Sequence, residues 1–220
     1  LPLILDRRIV EEVNQIFLQH DYKKKPYIIN SDETLILRNG DYSPEKKTRY
    51  YIRKANSFNN IKCYNGDIDE IEMKKLYEIY SENGRILNYT PKSYEAMKTL
   101  VSSQNSMTLT SSDKKSGKMC GYATLYISEF RVSQDILPDK CSAKVAQLLF
   151  SNTTELGRDL LTGYVLYDSL IRKIFDENLA DIIDLHGAGR SRNSSFITFK
   201  NKFAKEFVSL PGSYVKFNMF

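Results

Sequence analysis

The sequence contains few of the residues that build metal centres and disulfide frameworks. Its 220 residues include three cysteines, two histidines and no tryptophan. Cys63, Cys120 and Cys141 lie far apart, without C-x-x-C spacing, and no H-x-x-x-H pattern occurs. We therefore expect neither a zinc site nor a disulfide framework. Dispersed cysteines in odd number are typical of a reducing compartment, which predicts a cytoplasmic protein.

Long hydrophobic runs are also lacking. No stretch approaches about 18 consecutive apolar residues, so we expect no membrane-spanning helix. The apolar opening, residues 1–5, is short and is followed at once by charged residues, unlike a signal peptide. Hydrophobic residues make up 41% and charged residues 27%, as in an ordinary globular protein. The net charge of +5 suits an anionic ligand but does not by itself indicate nucleic-acid binding.

Apolar periodicity divides the chain into alternating helices and strands. Helices are predicted for residues 6–19, from 43 to about 54, from 69 to the Asn83-Gly84 pair, after Thr90-Pro91, and from 163 to about 178. Strands are predicted at 27–29, 34–37, 61–64, 107–110, 119–127, 143–150 and 181–185, with a terminal hairpin around Pro211-Gly212. This order predicts an α/β or α+β sheet with helices packed on it.

Residues 163–207 form the stretch around which the rest is organised. Its first helix, with Thr162 as the expected N-cap, has one apolar face: Tyr167, Leu170, Ile171, Ile174 and Phe175. A buried strand and a glycine-containing loop follow, and then a second helix with Phe196, Phe199, Phe203 and Phe207 on one face. Arg190 and Arg192 in the loop could attract an anion, but a solvated crossover loop explains them equally well.

A second basic segment lies earlier in the chain. Residues 46–54 carry five basic side chains, interleaved with Tyr50 and Tyr51. Basic and aromatic residues in this mixture are typical of nucleic-acid contacts. A solvated helix face is the more common explanation of such a charge run.

From about residue 48 onward, the order of elements resembles the GNAT acyltransferase fold, and local motifs resemble its Fem-like branch. The sequence TRYYIRKA at 48–55 resembles the R-x-x-I-R-K-A motif with which that branch begins. The predicted strand at 34–37 precedes this motif, which also fits the branch. Residues 184–187 and 199–203 resemble its D-x-x-G and F-K-x-x-F blocks. The resemblance implies a GNAT-like domain over residues 34–220, with a central, mostly antiparallel mixed sheet flanked by helices. Residues 1–33 would be an N-terminal helix and strand extension.

The chain departs from the branch in several places. Fem peptidyltransferases contain two GNAT-like units, and this chain has room for about one. Ala204 stands where the branch usually has glycine. The segment RDLLTG at 158–163 matches the first and last positions of the GNAT pyrophosphate loop, Q/R-x-x-G-x-G/A, but Leu161 replaces its first glycine.

The resemblance implies an acyl-CoA co-substrate and direct attack by an amine, without a covalent enzyme intermediate. The donor would lie along the signature strand and the loop that follows it, at Leu148, Leu149, Phe150, Arg158, Thr162 and Gly163. The splayed backbone of the signature strand, here about Val145 to Phe150, would polarise the acyl carbonyl group.

Several residues are candidates for the chemistry, each with an ordinary structural alternative. His186 is the expected general base, or else a residue that closes the strand end. Asp184 is a second base candidate, or an inward carboxylate paired with Arg190 or Arg192. Tyr167, and less specifically Tyr122, could protonate the leaving group. Substrate contacts are expected from three basic side chains: Arg190, Arg192 and Lys200.

Three hypotheses follow from the sequence. The first is an N-acyltransferase that moves an acyl group from acyl-CoA to a small-molecule or peptide amine. The second is an aminoacyl-tRNA-dependent transferase, in which the basic helix would contact RNA. The third is a binding module that keeps the fold without its catalysis. GNAT-like sheets often pair, which would allow a homodimer.

Overall fold

The fold consists of seven helices and nine strands in the residues that the computed structural model describes, which are 7–20, 23–24, 33–131, 142–186, 195–209 and 214–215. The helices are α1 (Arg7–Gln19), α2 (Lys46–Phe58), α3 (Glu70–Leu87), α4 (Tyr94–Val101), α5 (Glu155–Asp159), α6 (Thr162–Asp176) and α7 (Ser195–Lys200). The strands are β1 (Lys23–Lys24), β2 (Glu33–Arg38), β3 (Asn59–Tyr64), β4 (Ser106–Asp113), β5 (Met119–Arg131), β6 (Ser142–Thr153), β7 (Ile182–Asp184), β8 (Glu206–Ser209) and β9 (Tyr214–Val215). No helix in this part of the chain is both long and apolar enough to cross a lipid bilayer.

Seven strands form one mixed sheet in the order β3-β4-β5-β6-β7-β2-β8. Every neighbouring pair is antiparallel except β6 and β7, which run parallel. The strands β1 and β9 pair separately as a short antiparallel ribbon. The sheet is therefore mixed and mostly antiparallel with helices on it, which confirms the predicted fold class.

The helix α6 is the centre of the larger hydrophobic cluster. Its side chains are buried on more than one face, as expected for a helix covered by both a sheet and other helices. Leu166 and Leu170 pack in one cluster with Leu35 of β2 and Leu125 of β5. The predicted apolar face of residues 167–175 is thus confirmed.

A smaller cluster joins α3 and α4 to β5 and β6. Met73 and Leu76 of α3 pack with Met97 of α4, Tyr122 of β5 and Phe150 of β6. Each of the two helices begins at a side-chain cap: Asp69 accepts from the backbone N–H of Glu72 at 2.9 Å, and Ser93 caps α4. The cap of α4 lies beyond the Thr90-Pro91 start predicted from the sequence.

A β-bulge in β6 explains how this strand contributes to both clusters. Thr124 of β5 lies opposite Phe150, and Leu125 lies opposite Leu148, so Leu149 has no direct partner on β5. One inserted residue reverses the alternation of side chains between the two faces of the sheet. Leu148 accordingly packs in the α6 cluster, while Phe150 packs with α3 and α4.

The predicted end of α3 at Asn83-Gly84 is wrong, because the helix continues to Leu87 and ends at Asn88 in a left-handed conformation with φ of 55°. Gly84 serves packing rather than termination. A Cβ atom at this position would lie 2.5 Å from Cγ of Pro91. The glycine lets the segment after the helix return closely across it.

The C-terminal part also differs from its prediction. The second helix of the organising stretch ends at Lys200, and Phe207 lies in β8 opposite Leu35. The strands β8 and β9 pair with β2 and β1, so the described residues do not form the expected terminal hairpin. The short helix α5 was not predicted, and the strand expected at 27–29 lies outside the described residues.

Candidate functional site

The strands β6 and β7 separate halfway along β6. β5 pairs with the full length of β6, whereas β7 pairs only with residues 145–147 of β6. From Leu148 to Thr153, the opposite edge of β6 has no strand partner in the described part of the chain. The bulge at Leu149 marks the beginning of this unpaired edge. The predicted signature strand, about Val145 to Phe150, thus lacks a strand partner on one edge from Leu148 onward.

Backbone groups of β6 point into the resulting gap. The carbonyl oxygen of Thr153 accepts hydrogen bonds from the side chains of Asn83 and Arg158, both at 3.3 Å, and not from β5. Residues two apart on a strand direct their N–H and C=O groups to the same side. The N–H of Ser151 therefore points into the gap, where it could hold a substrate carbonyl oxygen.

A cavity of about 470 Å³ lies along this edge, and its lining is largely apolar and aromatic. The residues that line it come from the end of α3, from β6, from the α5–α6 segment and from α7: Asn83, Ile86, Leu87, Ser151, Asn152, Thr153, Gly157, Arg158, Leu161, Gly163, Tyr164, Tyr167, Phe196 and Phe199. Three predicted site residues are among them: Arg158, Gly163 and Tyr167. His186, Asp184 and Lys200 are not.

Tyr167 lies at the inner wall of the cavity. It is 3% exposed, and its ring centroid lies 5.2 Å from that of Phe199. Burial raises the pKa of Tyr167 to about 12, with a hydrogen bond to Ser151 acting in the opposite direction. At neutral pH the phenol is protonated, so it can donate a proton or a hydrogen bond to a group in the cavity.

The start of α6, where the sequence resemblance implies a pyrophosphate site, is crowded by packing, although Arg158, Leu161 and Gly163 also line the cavity. Leu161 has a left-handed backbone with φ of 57°, and Thr162 is fully buried with its hydroxyl donating to Oδ1 of Asn59 at 2.6 Å. A Cβ at Gly163 would lie 3.0 Å from Cζ of Phe199, so the ring lies directly against the helix start. Thr162 is the first residue of α6 rather than its predicted N-cap.

Lys200, predicted to contact an anionic substrate, is instead an internal residue. Its side chain is 2% exposed, and Nζ donates to the carbonyl oxygens of Leu185, at 2.5 Å, and of His186. Nζ also lies 4.1 Å from the ring centroid of Phe196. Desolvation lowers the pKa of Lys200 to about 7. Through these hydrogen bonds the lysine connects α7 to the end of β7.

Asp184 and His186 close the turn at the end of β7. Asp184 is buried and accepts hydrogen bonds from the Thr34 hydroxyl, from Nε2 of Gln147 at 3.5 Å and from the backbone N–H of His186 at 2.7 Å. Its carboxylate therefore points inward, as the structural alternative predicted, but the partners described are Thr34, Gln147 and His186 and not the predicted arginines. His186 is exposed and has a left-handed backbone with φ of 55°. Arg190 and Arg192 lie outside the described residues.

The three β6 residues that were predicted to hold the acyl donor have side chains that pack in the hydrophobic clusters, and none of them lines the cavity. Leu148 and Phe150 are buried in the two hydrophobic clusters, and Leu149 packs against the smaller one. Tyr122 is fully buried, and its hydroxyl accepts a hydrogen bond from Nδ2 of Asn152 at 3.1 Å. No group of three or more potential metal ligands lies together within the described ranges.

The basic face of α2 adjoins the lining of the cavity. The ring of Tyr51 lies 5.0 Å from that of Tyr164, a lining residue, and Nζ of Lys202 lies 6.0 Å from the same ring. Lys47 is close enough to Tyr164 to lower the pKa of its phenol, against a larger opposing effect of burial. The five basic residues of α2 are exposed and form no ion pair with any residue that the structure describes: Lys46, Lys47, Arg49, Arg53 and Lys54.

Sequence reasoning missed Ser151 and Asn152 as site residues. The predicted strand ended at Phe150, although the structure extends β6 to Thr153. Had the predicted strand been continued past Phe150, the polar residues that follow the apolar run would have been part of it. The bulge that turns Ser151 toward α6 has no signal in the sequence, because it depends on the register with β5.

Comparison with known proteins finds similar folds among solved structures but no match at the level of sequence. No family model and no curated protein matches the sequence. FemX matches 92% of this chain and 67% of its own, with a TM-score of 0.64 and 11% identity. The C-terminal domain of a protein described as a lysylphosphatidylglycerol synthetase, from Agrobacterium fabrum, matches 90% and 63%, with a TM-score of 0.60 and 12% identity. A tandem GNAT protein from the clavulanic acid pathway matches 89% and 55%, with a TM-score of 0.54 and 8% identity. The chain thus spans between about half and two thirds of these structures and has a GNAT-like fold similar to that of FemX.

Proposed function

Starting from this Fem-like GNAT fold, we propose that the protein is an N-acyltransferase that moves an acyl group from an activated donor to an amine. One observation carries the proposal. The unpaired edge of β6 opens onto a cavity whose inner wall presents the neutral phenol of Tyr167. A backbone N–H group and a proton donor thus lie beside a largely apolar space.

The chemistry proposed for this site is direct attack of the amine on the acyl carbonyl carbon. A C–N bond forms as the bond between the acyl carbon and the donor's leaving oxygen or sulfur breaks. The N–H of Ser151 stabilises the carbonyl oxygen as it gains negative charge. Tyr167 gives its proton to the leaving group and regains one from solvent, while the attacking amine loses its proton to solvent or to His186 at the exposed end of β7.

Tyr167→Phe tests the proposed acid. Loss of the phenol should lower kcat by about a hundredfold or more, with little change in KM, because proton donation acts in the transition state. The melting temperature should change little, because only the hydrogen bond with Ser151 is lost. An unchanged kcat would remove Tyr167 from the mechanism. A His186→Ala variant with an unchanged pH profile of kcat would likewise exclude His186 as the base.

We propose an aminoacyl-tRNA as the donor. Two observations support it over the acyl-CoA that the sequence favoured: the ring of Phe199 lies against Gly163 at the start of α6, and the unpaired basic face of α2 adjoins the cavity through Tyr51 and Tyr164. A polyanion lying along α2 could direct its reactive end toward the cavity. Phosphate contacts with lysine and arginine would supply most of its binding energy.

A matched pair of variants separates the two donors. By helical spacing, Lys47 and Lys54 share a face with Tyr51, whereas Lys115 and Lys118 are exposed on the β4–β5 turn. The double variant Lys47→Gln/Lys54→Gln should weaken tRNA binding and make the plot of log affinity against log salt shallower by about 2. The double variant Lys115→Gln/Lys118→Gln has the same net charge and should bind as the wild type does.

The alternative donor gives a different result. If free CoA or acyl-CoA raises the melting temperature and uncharged tRNA does not bind, acyl-CoA is the donor and the role proposed for α2 is wrong. A CoA species at about 100 times its Kd should add about 2.7 kcal/mol to the free energy of unfolding. Equal effects of the two lysine pairs would show only a general attraction between charges. No transfer with either donor would favour a binding module.

A further inference from the structure

Large apolar side chains are exposed around the mouth of the cavity. Ile86 and Leu87 on the last turn of α3 are 59% and 66% exposed, and Phe196 at the start of α7 is 51% exposed. All three also line the cavity, so the apolar surface continues from the rim into the interior. Exposed apolar residues that gather at one opening are typical of a binding surface, unlike single ones scattered over a protein.

The charge of the lining is equally informative. None of the described residues that line the cavity is acidic, and Arg158 is the one basic residue among them. The Arg158 guanidinium donates to the carbonyl oxygen of Thr153 at the outer end of β6. A cationic group inside the cavity would therefore lose its hydration without gaining a counter-ion, which is costly. An uncharged alkyl or aryl group would lose little and would gain contacts with Leu161, Phe199 and the rim.

We infer that this cavity binds an uncharged, apolar chain, and that this chain belongs to the acyl group being transferred. The second half of the inference rests on the function proposed above, because it needs a reacting carbonyl group at the unpaired edge of β6. The first half does not, because an apolar chain can bind whether or not transfer follows. Either a fatty acyl group or the side chain of an apolar aminoacyl group has this chemistry.

Binding of simple alcohols tests the cavity without any donor. We would titrate the protein with 1-butanol, 1-hexanol and 1-octanol, and with 6-amino-1-hexanol as the cationic partner of 1-hexanol. Affinity should rise about fourfold for each added methylene until the chain outgrows the cavity. The cationic compound should bind at least tenfold more weakly than 1-hexanol, because the lining offers no acid. Equal binding of all four compounds would overturn the inference.

The helix α3 offers a matched pair of variants for the same titration. Leu87 lines the cavity, whereas Ile71, 70% exposed on the first turn of the same helix, does not. Leu87→Asp should weaken 1-hexanol binding about tenfold and reduce the preference for 1-hexanol over 6-amino-1-hexanol. Ile71→Asp adds the same charge and should bind both compounds as the wild type does. Equal effects of the two variants would place the binding elsewhere, and melting temperatures measured in parallel would show that both variants fold.

Transfer assays then identify the source of the chain. One arm compares acetyl-, hexanoyl- and dodecanoyl-CoA, and the other compares tRNA charged with leucine, phenylalanine or lysine. Preference for the longer chain in the first arm, or for leucine or phenylalanine over lysine in the second, supports the inference. If the alcohols bind and no donor is used, the proposed function fails while the apolar site stands. If lysyl and leucyl groups transfer equally and the alcohols do not bind, the inference fails while the proposed function stands.

Discussion

At the scale of single residues, Lys200 shows how burial can give a residue a different role from the one that its motif predicts. The F-K-x-x-F resemblance suggested a surface cation for an anionic substrate. The structure directs Nζ inward, to the carbonyl oxygens of Leu185 and His186. A buried amine with carbonyl partners and a lowered pKa anchors the turn after β7, and its motif neighbour Phe199 forms part of the cavity wall.

The lowered pKa of Lys200 makes stability depend on pH. Its pKa is about 7 in the folded protein and near the ordinary 10.5 in the unfolded chain, so between these values the unfolded chain binds more protons. Stability therefore rises with pH across this window, and the stabilisation that arises from the difference in pKa is lost as the pH falls through about 7. Urea unfolding at pH 6.5, 8 and 9.5 should show this rise. Lys200→Met should flatten it, whereas Lys205→Met, at an exposed position, should not. Equal slopes in the wild type and Lys200→Met would contradict the prediction.

At the scale of elements, the sequence predicts most helices and strands because their apolar spacing is strong. The helix α6 and the strands β2, β4, β5 and β7 all occur where periodicity placed them. The errors fall where tertiary contacts matter: Gly84 lies inside α3 against Pro91 instead of ending the helix, and Phe207 pairs with β2 instead of extending its predicted helix. Local patterns do not contain this information.

Gly84 gives a prediction in which packing opposes helix propensity. Gly→Ala inside a helix ordinarily stabilises it by about 1 kcal/mol. At Gly84 the new Cβ would lie 2.5 Å from Cγ of Pro91 and 3.1 Å from the carbonyl oxygen of Tyr89. We expect Gly84→Ala to lower the free energy of unfolding by about 1 to 3 kcal/mol, because overpacking of this kind exceeds the gain in propensity.

A double-mutant cycle measures how much of the cost of Gly84→Ala comes from contact with Pro91. Chemical denaturation of Gly84→Ala, Pro91→Ala and the double variant should show that Pro91→Ala removes much of the cost of the new methyl group. A stabilised single variant, or costs that simply add, would show that the chain after α3 relaxes freely.

The candidate site was likewise predicted only in part from the sequence. Of the residues that the motifs singled out, Arg158, Gly163 and Tyr167 line the cavity, and the last two belong to α6, whose apolar periodicity is clear. The cavity itself arises where α3, β6, α6 and α7 meet, and its lining residues are far apart in sequence. The roles assigned to His186, Tyr167 and the donor residues remain predictions for the experiments above.

At the scale of the whole molecule, the sheet joins the two ends of the described chain. The early strand β2 lies between β7 and β8, and both of these come from the last fifth of the sequence. Arg38 of β2 donates to Glu206 of β8 through Nε at 3.0 Å and Nη2 at 2.9 Å, across a separation of 168 residues. Such long-range pairing slows folding, because the entropy of loop closure is lost before the contacts form.

The place of β2 in the sheet also bears on how the protein is made in the cell. At translation rates of roughly 5 to 20 residues per second, the ribosome needs about 10 to 30 seconds to add the residues that separate β2 from β8. During that time the nascent chain carries a strand with four buried-type residues, Thr34 to Leu37, and neither of its final neighbours. Unpaired apolar strands of this kind readily join other chains. Yield of the soluble protein should therefore depend on chaperones that hold the growing chain until its last strands emerge.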